Sequence, residues 1–398
     1  MSFEIDRNKN EIEQLAAALD EADAVIVGAG AGLSTSAGFR YDGERFNKYL
    51  WDFAEKYRFS DMYTGGFVMM QYKDTVNWAY WSRNIYINRY MDPPKDTYRK
   101  LLNVLYGKDY FVITTNVDHL FQKAGIDKNR LFYTQGDYGL WQCRGGRIKE
   151  TYDNEVQVKK MLLAQGFWFE HVKSKKGVTV EKDSELIRQY GEYNAWQCDE
   201  LDFEADWGAL MPPADEEGRT DYSRLTMEIP KALLPKIPGD GSPAAMNLRA
   251  DDTFVEDFGW RAADRRYADF LNAHQNGKVL FLDLGSGYNT PVIFKIPFMR
   301  WTMEWPSAIY ATINKGQAVT APEIREKSIV IDDDIDAVLD KLTAPSVFGT
   351  YRGRAQNKNG TDDSAYRQRF FQQKCRQQDG FDRIDISEDG YGLCLEQP

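Results

Sequence analysis

The stretch Phe111–Gly139, FVITTNVDHLFQKAGIDKNRLFYTQGDYG, most limits the folds open to this 398-residue chain. It reads as an apolar strand, a polar elbow, a short helix and a second strand ending in Thr134-Gln135-Gly136. A strand that is apolar along its whole length is buried on both faces, as in a parallel sheet covered by helices. Its carboxyl end then delivers Asn116 and Asp118 to the edge where open α/β sheets hold ligands.

The same grammar recurs at both ends of the chain. An apolar strand, Ala24 to Val27, stops at Gly28 and enters Gly28-Ala29-Gly30-Ala31-Gly32-Leu33-Ser34, a glycine-rich strand-to-helix turn. Such a turn lets a backbone approach a phosphate without a Cβ in the way. It departs from the GxGxxG fingerprint, since Leu33 takes a glycine position and no acidic residue closes a second strand about twenty residues on. An ordinary tight turn explains it equally well. Later, Lys278 to Leu284 runs into Gly285-Ser286-Gly287, Ser307 to Ile313 ends at Asn314, and Ser328 to Ile331 leads into acidic Asp332 to Asp334. Those acids suit the cap of a closing helix, Ile335 to Leu342. Helices are also expected over Ile12 to Asp23 and Lys95 to Tyr106, where apolar residues recur at helical spacing.

The fold class that follows is α/β: one doubly wound parallel sheet, with a smaller domain built from two insertions. The first insertion, about 41–94, is dense in aromatics from Phe46 to Tyr90 and is expected to be helical with its own small core, ending at Pro93-Pro94. The second, about 141–246, has weak periodicity and many turns. The sheet part then comprises about 12–40, 95–140 and 247–342 of a catalytic domain spanning 1–342. Residues 343–398 carry eight Lys/Arg, eight Asp/Glu and no core pattern, and are expected to be an appendage.

Composition narrows the function. A formal net charge of −11 argues against nonspecific binding to nucleic acid or anionic membrane. No apolar run approaches the ~18 residues of a membrane span, and the charged N-terminus is unlike a signal peptide, so a cytoplasmic protein is expected. Cys143, Cys198, Cys375 and Cys394 include no CxxC pair, and the histidines are only His119, His171 and His274. A disulfide framework and a tetrahedral zinc site are both disfavoured.

In their order, the glycine turns and polar elbow resemble the sirtuin family. Gly30-Ala31-Gly32-Leu33-Ser34 is similar to its GAG-x-S cofactor loop, Thr114-Thr115-Asn116-Val117-Asp118 to its T-x-N-x-D segment, and Gly285-Ser286 and Asn314 to the places that hold adenine ribose and base. The resemblance runs over roughly 12–342. Gly38-Phe39-Arg40-Tyr41-Asp42-Gly43-Glu44-Arg45-Phe46, Gln135-Gly136, Met246-Asn247-Leu248-Arg249-Ala250-Asp251 and Asn289-Thr290-Pro291 resemble the macrodomain-linked class M subgroup. Two departures stand out. Gln135-Gly136 replaces the H-G pair of most sirtuins, as in class M, and only Cys143 remains of two zinc-binding CxxC pairs. Packing by Trp141, Phe167, Trp168, Phe169, Trp196 and Trp207 is expected to replace the metal.

The resemblance implies a Rossmann-like sirtuin fold that takes NAD as co-substrate and no zinc. Ala29 through Ser34, Tyr41, Phe46, Asp118, Gly285, Ser286 and Asn314 would contact the dinucleotide. Asn116 would hold the nicotinamide ribose, Asp118 would accept from the carboxamide, Gln135 would orient a ribose hydroxyl, and Arg249 would stand near the reaction centre. Deacylation needs a titratable base, which glutamine is not. Breaking the nicotinamide–ribose bond needs positioning and charge stabilisation instead. The implied activity is therefore protein mono-ADP-ribosylation. By resemblance the acceptor is a lipoylated carrier of the glycine-cleavage type, and a separate macrodomain hydrolase removes the mark. A weak lysine deacylase, an NAD hydrolase and a non-catalytic NAD- or ADP-ribose-binding module remain alternatives. His119 reads as a plain helix-start residue.

Overall fold

The computed structural model describes residues 8–287 and 290–344; Asn289 and the tail beyond Ala344 lie outside the described residues. Helix α1 (Lys9–Glu21) turns Ile12, Leu15, Ala18 and Leu19 inward and leads into β1 (Ala24–Ala29), buried along its full length. The strand runs past Gly28 instead of stopping there. A Cβ on Gly28 would meet the Phe294 ring at 2.2 Å, so this glycine makes room for a packed aromatic and is no turn residue. A short helix, α2 (Ala31–Ser36), follows.

The first insertion is helical as expected: α3 (Gly43–Tyr57), α4 (Met62–Met69) and α5 (Asp74–Ile85), the last continuing into a π-helical turn at Tyr86–Tyr90. Then α6 (Thr97–Leu105), β2 (Tyr110–Thr114), α7 (Leu120–Lys123) and β3 (Leu131–Tyr133) complete half of the sheet. The second insertion contributes β4 (Gly136–Cys143), β5 (Thr151–Asp153), α8 (Glu155–Ala164), β6 (Trp168–Phe169), α9 (Glu185–Arg188), β7 (Leu210–Met211) and β8 (Ala244–Leu248). The chain returns through α10 (Phe258–His274), β9 (Val279–Leu284), α11 (Lys295–Glu304), β10 (Ile309–Ile313), β11 (Ser328–Ile331) and α12 (Ile335–Thr343). Asp334 caps α12, its carboxylate accepting from the Ala337 N–H.

Six strands pair in parallel in the order β11-β10-β9-β1-β2-β3. Alternation along each strand sorts residues to two cores. Val25, Val27 and Ala29 face one core with Leu15, Leu101 and Val338, while Ile26 faces the other with Tyr267 and Phe298. Each fully buried side chain of this kind contributes roughly 1.5–3 kcal/mol. The sheet winds outward from β1 in one direction and from β9 in the other, which opens a crevice beyond the carboxyl ends of these adjacent strands.

The smaller unit pairs β5-β4-β8 antiparallel, with β6 and β7 as a separate ribbon. Its core overturns one expectation: the helical insertion has no core of its own. Phe53, Tyr80 and Tyr86 pack in one cluster with Trp141, Met161, Phe167, Phe169 and Trp207 of the second insertion, and Trp168 and Trp196 line it. At the seam Arg83 is fully buried, paired with Asp52 (2.8 Å), bonded to Gln165 (2.7 Å) and to the Tyr49 and Thr226 carbonyls, and sandwiched by Phe53 and Phe167. Cys143 is buried with its Sγ 3.5 Å from Ser242 Oγ, and Cys198 is a free buried thiol. Among the described residues no three His, Cys, Asp or Glu side chains gather to hold a metal, and no helix is long and apolar enough to cross a membrane. Soaking the protein in a strong chelator is expected to shift its melting temperature by less than about 2 °C, since loss of a structural zinc would cost several kcal/mol. A fall of ten degrees would reveal a metal that the packing conceals.

Candidate active site

The glycine turn after β1 and the loop after β9 fit against each other backbone to backbone. Gly30 N–H donates to the Leu284 carbonyl (3.0 Å) and Gly32 N–H to the Gly285 carbonyl (2.9 Å). A Cβ on Gly30 would lie 2.7 Å from that Gly285 oxygen, and one on Gly285, itself at φ 68°, would lie 2.6 Å from Gly32 Cα. The glycines are thus already required by this contact, before any phosphate is considered. Ser286 hydroxyl donates to Asp283 (2.6 Å), Lys295 pairs with the same carboxylate (3.3 Å), and Tyr310 OH donates to it as well (2.8 Å). Asn314 Nδ2 donates to the Ser286 carbonyl (2.9 Å), so β9 and β10 hold this loop jointly.

Across the crevice, four polar side chains form a hub. Asn116 Nδ2 donates to the Gly30 carbonyl (2.9 Å) and to Tyr98 OH (3.3 Å). Tyr98 OH lies 2.9 Å from Ser34 Oγ, which in turn donates to Asp118 Oδ2. Asp118 Oδ1 accepts from the Leu120 N–H (3.1 Å). Burial pushes the Asp118 carboxyl up from 3.8 to about 6 against the hydrogen bonds from Ser34 and Leu120, with help from nearby Asp137. Burial likewise raises the Tyr98 hydroxyl well above its ordinary value and Tyr41, bonded to Tyr138 OH (3.0 Å), to about 12. Arg45 supplies positive charge here. Its guanidinium bonds the Asn88 Oδ1 (2.7 Å) and the Ile87 carbonyl, lies over the Phe39 ring, and is pulled by burial down to about 10.

Gln135 and Arg249 make a second group, joined through the Arg249 N–H to the Gln135 carbonyl (3.0 Å). Gly136, at φ 91°, lets β4 press against β8, where a Cβ would meet the Asn247 carbonyl oxygen. The Gln135 amide makes only a 3.5 Å contact to Thr134 Oγ1. Arg249 lies over Phe254 and Trp260 (4.3 and 5.1 Å to the ring centres) and pairs with Glu256 (2.8 Å); Asp251 instead binds Thr253.

The structure therefore gathers Gly30, Ser34, Asn116 and Asp118 in one constellation and Gly285, Ser286 and Asn314 beside it. Ala31 is exposed, while Ala29, Leu33 and Phe46 are core residues whose side chains are buried in packing. His119 is more than a helix-start residue: its imidazole pairs with the buried Asp137. Tyr98 escaped the sequence reading because its ring belongs with Leu101 and Leu105 on the apolar face of α6, where only the hydroxyl at its tip betrays a polar task.

No family model matches the chain. A protein ADP-ribosyltransferase of Staphylococcus aureus is 33% identical over 341 residues, covering 85% of this chain and 89% of that protein. A probable bifunctional ADP-ribose hydrolase/ADP-ribosyltransferase of Fusarium oxysporum f. sp. cubense is 33% identical over 128 residues, 31% of this chain and 21% of that protein. Among solved structures, one of Sir2 enzymes covers 86% of this chain and 99% of its own at 16% identity, with a TM-score of 0.46. A Sir2 homologue mutant in complex with ADP-ribose covers 87% and 99% at 13% identity, with a TM-score of 0.44. Through the Staphylococcus aureus relative, matched along most of both chains, this chain belongs to the protein ADP-ribosyltransferase family, in keeping with the sirtuin-type resemblance of its motifs.

Proposed function

We propose that this chain is an NAD-dependent mono-ADP-ribosyltransferase of the class M sirtuin type, acting on a protein acceptor. The observation that carries the reading is a hub of Ser34, Tyr98, Asn116 and Asp118 at the switch-point crevice, followed at Gln135 by a residue that cannot titrate. Carboxamide, ribose hydroxyls and diphosphate call for an acceptor, neutral hydrogen-bonding groups and positive charge. Asp118, Asn116 and the half-buried Arg45 supply these, and the backbone near Gly30 to Ser34 with Ser286 and Asn314 suits the adenosine half. Gln135 orients the ribose and Arg249 steadies the acceptor. Bond breaking at the nicotinamide–ribose carbon gives an oxocarbenium-like state, which fixed dipoles stabilise without a base.

The domain reading that accompanies this keeps 1–342 as the catalytic part, with 343–398 as an extension. Free buried thiols at Cys143 and Cys198 support a reducing, cytoplasmic setting. For the acceptor we favour a lipoylated carrier protein, with a macrodomain hydrolase reversing the modification. The name of the Fusarium oxysporum relative, which joins an ADP-ribose hydrolase to a transferase, supports that pairing. The test is incubation with labelled NAD and lysates that contain or lack lipoylated proteins, then identification of the labelled band. Label confined to the lipoylated lysate is expected. Nicotinamide release at the same rate with no protein present would instead establish the hydrolase reading, and label in no lysate would sink the transferase.

A further inference from the structure

The loop that closes β9 rests on a buried ion pair that the reaction itself does not use. Lys295 and Asp283 meet at 3.3 Å, with side chains 7% and 0% exposed. Aromatic packing brings them together. Phe294 and Phe298 crowd into the space that Gly28 leaves on β1, so the first turn of α11 lies against the sheet and Lys295 reaches the carboxyl end of β9.

Every polar group of Ser286 is engaged around this pair. Its N–H and its hydroxyl both donate to Asp283 (3.2 and 2.6 Å), the hydroxyl accepts from Lys295 Nζ (3.0 Å), and the carbonyl accepts from Asn314 Nδ2 (2.9 Å). Tyr310 OH adds a further bond to Asp283 (2.8 Å). A serine whose only hydroxyl proton goes to Asp283 has none to offer a ligand. What the side chain does here is hold the loop, and the Gly285 carbonyl of that loop in turn holds the Gly32 N–H of the turn after β1 (2.9 Å).

Stability does not explain the pair. Two charges taken out of water lose about as much in hydration as their attraction returns, and apolar side chains of the same size often serve as well in such a place. Location does explain it. Strands β1 and β9 are the neighbours from which the sheet winds apart, and a ligand in the crevice between them lies on the turns that follow them. A turn that must meet a dinucleotide to within about 0.5 Å needs a support that does not shift.

We propose that Lys295 and Asp283 are positioning residues for NAD: their ion pair locks Ser286, and through it the Gly285–Ser286 loop, in the shape that receives the adenosine half. This rests on the NAD-dependent reading above.

Removing both charges together separates position from stability. The double variant Asp283→Asn/Lys295→Met leaves no unpaired buried charge, so it is expected to melt within about 3 °C of the wild type. Its KM for NAD in nicotinamide release and its Kd for ADP-ribose are expected to rise about 20-fold, while kcat changes less than about threefold. The nicotinamide concentration that half-saturates base exchange at saturating NAD should stay within about twofold, because that end of the dinucleotide does not meet the loop. Tyr310→Phe removes one bond to Asp283 and no charge, and a KM for NAD raised about threefold is expected. Unchanged affinity for NAD and ADP-ribose in the folded double variant would overturn the assignment, as would a loss of kcat at unchanged KM. Should the double variant not fold, Tyr310→Phe takes its place, and an unchanged KM there overturns the assignment equally. A wild type that binds neither NAD nor ADP-ribose would overturn the NAD-dependent reading itself.

Discussion

Asn116→Ala is expected to abolish nicotinamide release, by a factor of about 1,000 or more, while Gln135→His lowers NAD cleavage by less than about tenfold. The asymmetry comes from what each side chain does in the structure. Asn116 is tied to the Gly30 carbonyl and Tyr98 OH, so its amide is held in one orientation at the carboxyl edge of β2. A dipole fixed in that way stabilises a developing oxocarbenium at no reorganisation cost, and alanine removes it entirely. The fold should survive, since two hydrogen bonds at a part-buried site are worth about 1 kcal/mol each. Gln135, by contrast, makes only a marginal 3.5 Å side-chain contact, and a histidine there disturbs little that is already formed. Rates of labelled nicotinamide release, with circular dichroism melts of each variant, decide the matter. Should Gln135→His destroy cleavage while NAD still binds, the glutamine has a deeper part in the reaction than orientation.

Local signals sufficed for some of this site and failed for the rest. Strands β1, β2, β9, β10 and β11 announce themselves as short apolar runs, and the polar residues at their ends follow from chain direction alone, so Asn116, Asp118, Ser286 and Asn314 were legible. Tyr98 was not, because its partner Ser34 lies 64 residues away and nothing in the α6 pattern marks the hydroxyl. The same holds for Asp137, whose partners His119 and Arg89 stand 18 and 48 residues off. Proximity in sequence does not give the Arg249 partner either: Asp251 turns back to its own Thr253 backbone, a local bond that leaves the guanidinium to Glu256. The shared core of the two insertions hid for a related reason. Aromatic residues show that something is buried but not against what, and the seam, where Arg83 of α5 meets Gln165 and Phe167 just beyond α8, exists only in the folded arrangement of the two insertions.

Asp118→Asn is expected to make the protein more stable and NAD binding worse. The folded-state value of about 6 lies above the ordinary 3.8, so the native state keeps its proton where the unfolded chain has lost it. Stability therefore falls as pH climbs from about 4 to 6, and above that range the ionised carboxylate costs roughly 3 kcal/mol. Asparagine carries no charge to desolvate. Its oxygen can still accept from the Leu120 N–H, and its amide can donate to Ser34. At about pH 8 the variant should melt about 4 °C higher, with the gain closing as pH drops below about 4. The functional loss follows from the same change: a nicotinamide carboxamide N–H meets an amide in place of a carboxylate, and loss of a charge-assisted hydrogen bond raises the NAD Kd about 10- to 100-fold. Melting curves across pH, set beside NAD titrations, test both halves. A variant that melts lower than the parent at about pH 8 would show that Asp118 is held by its bonds more than it is penalised by burial. Unchanged NAD affinity would remove it from the carboxamide. If both halves hold, Asp118 is a charge that the fold retains at a cost to its own stability because the dinucleotide requires it.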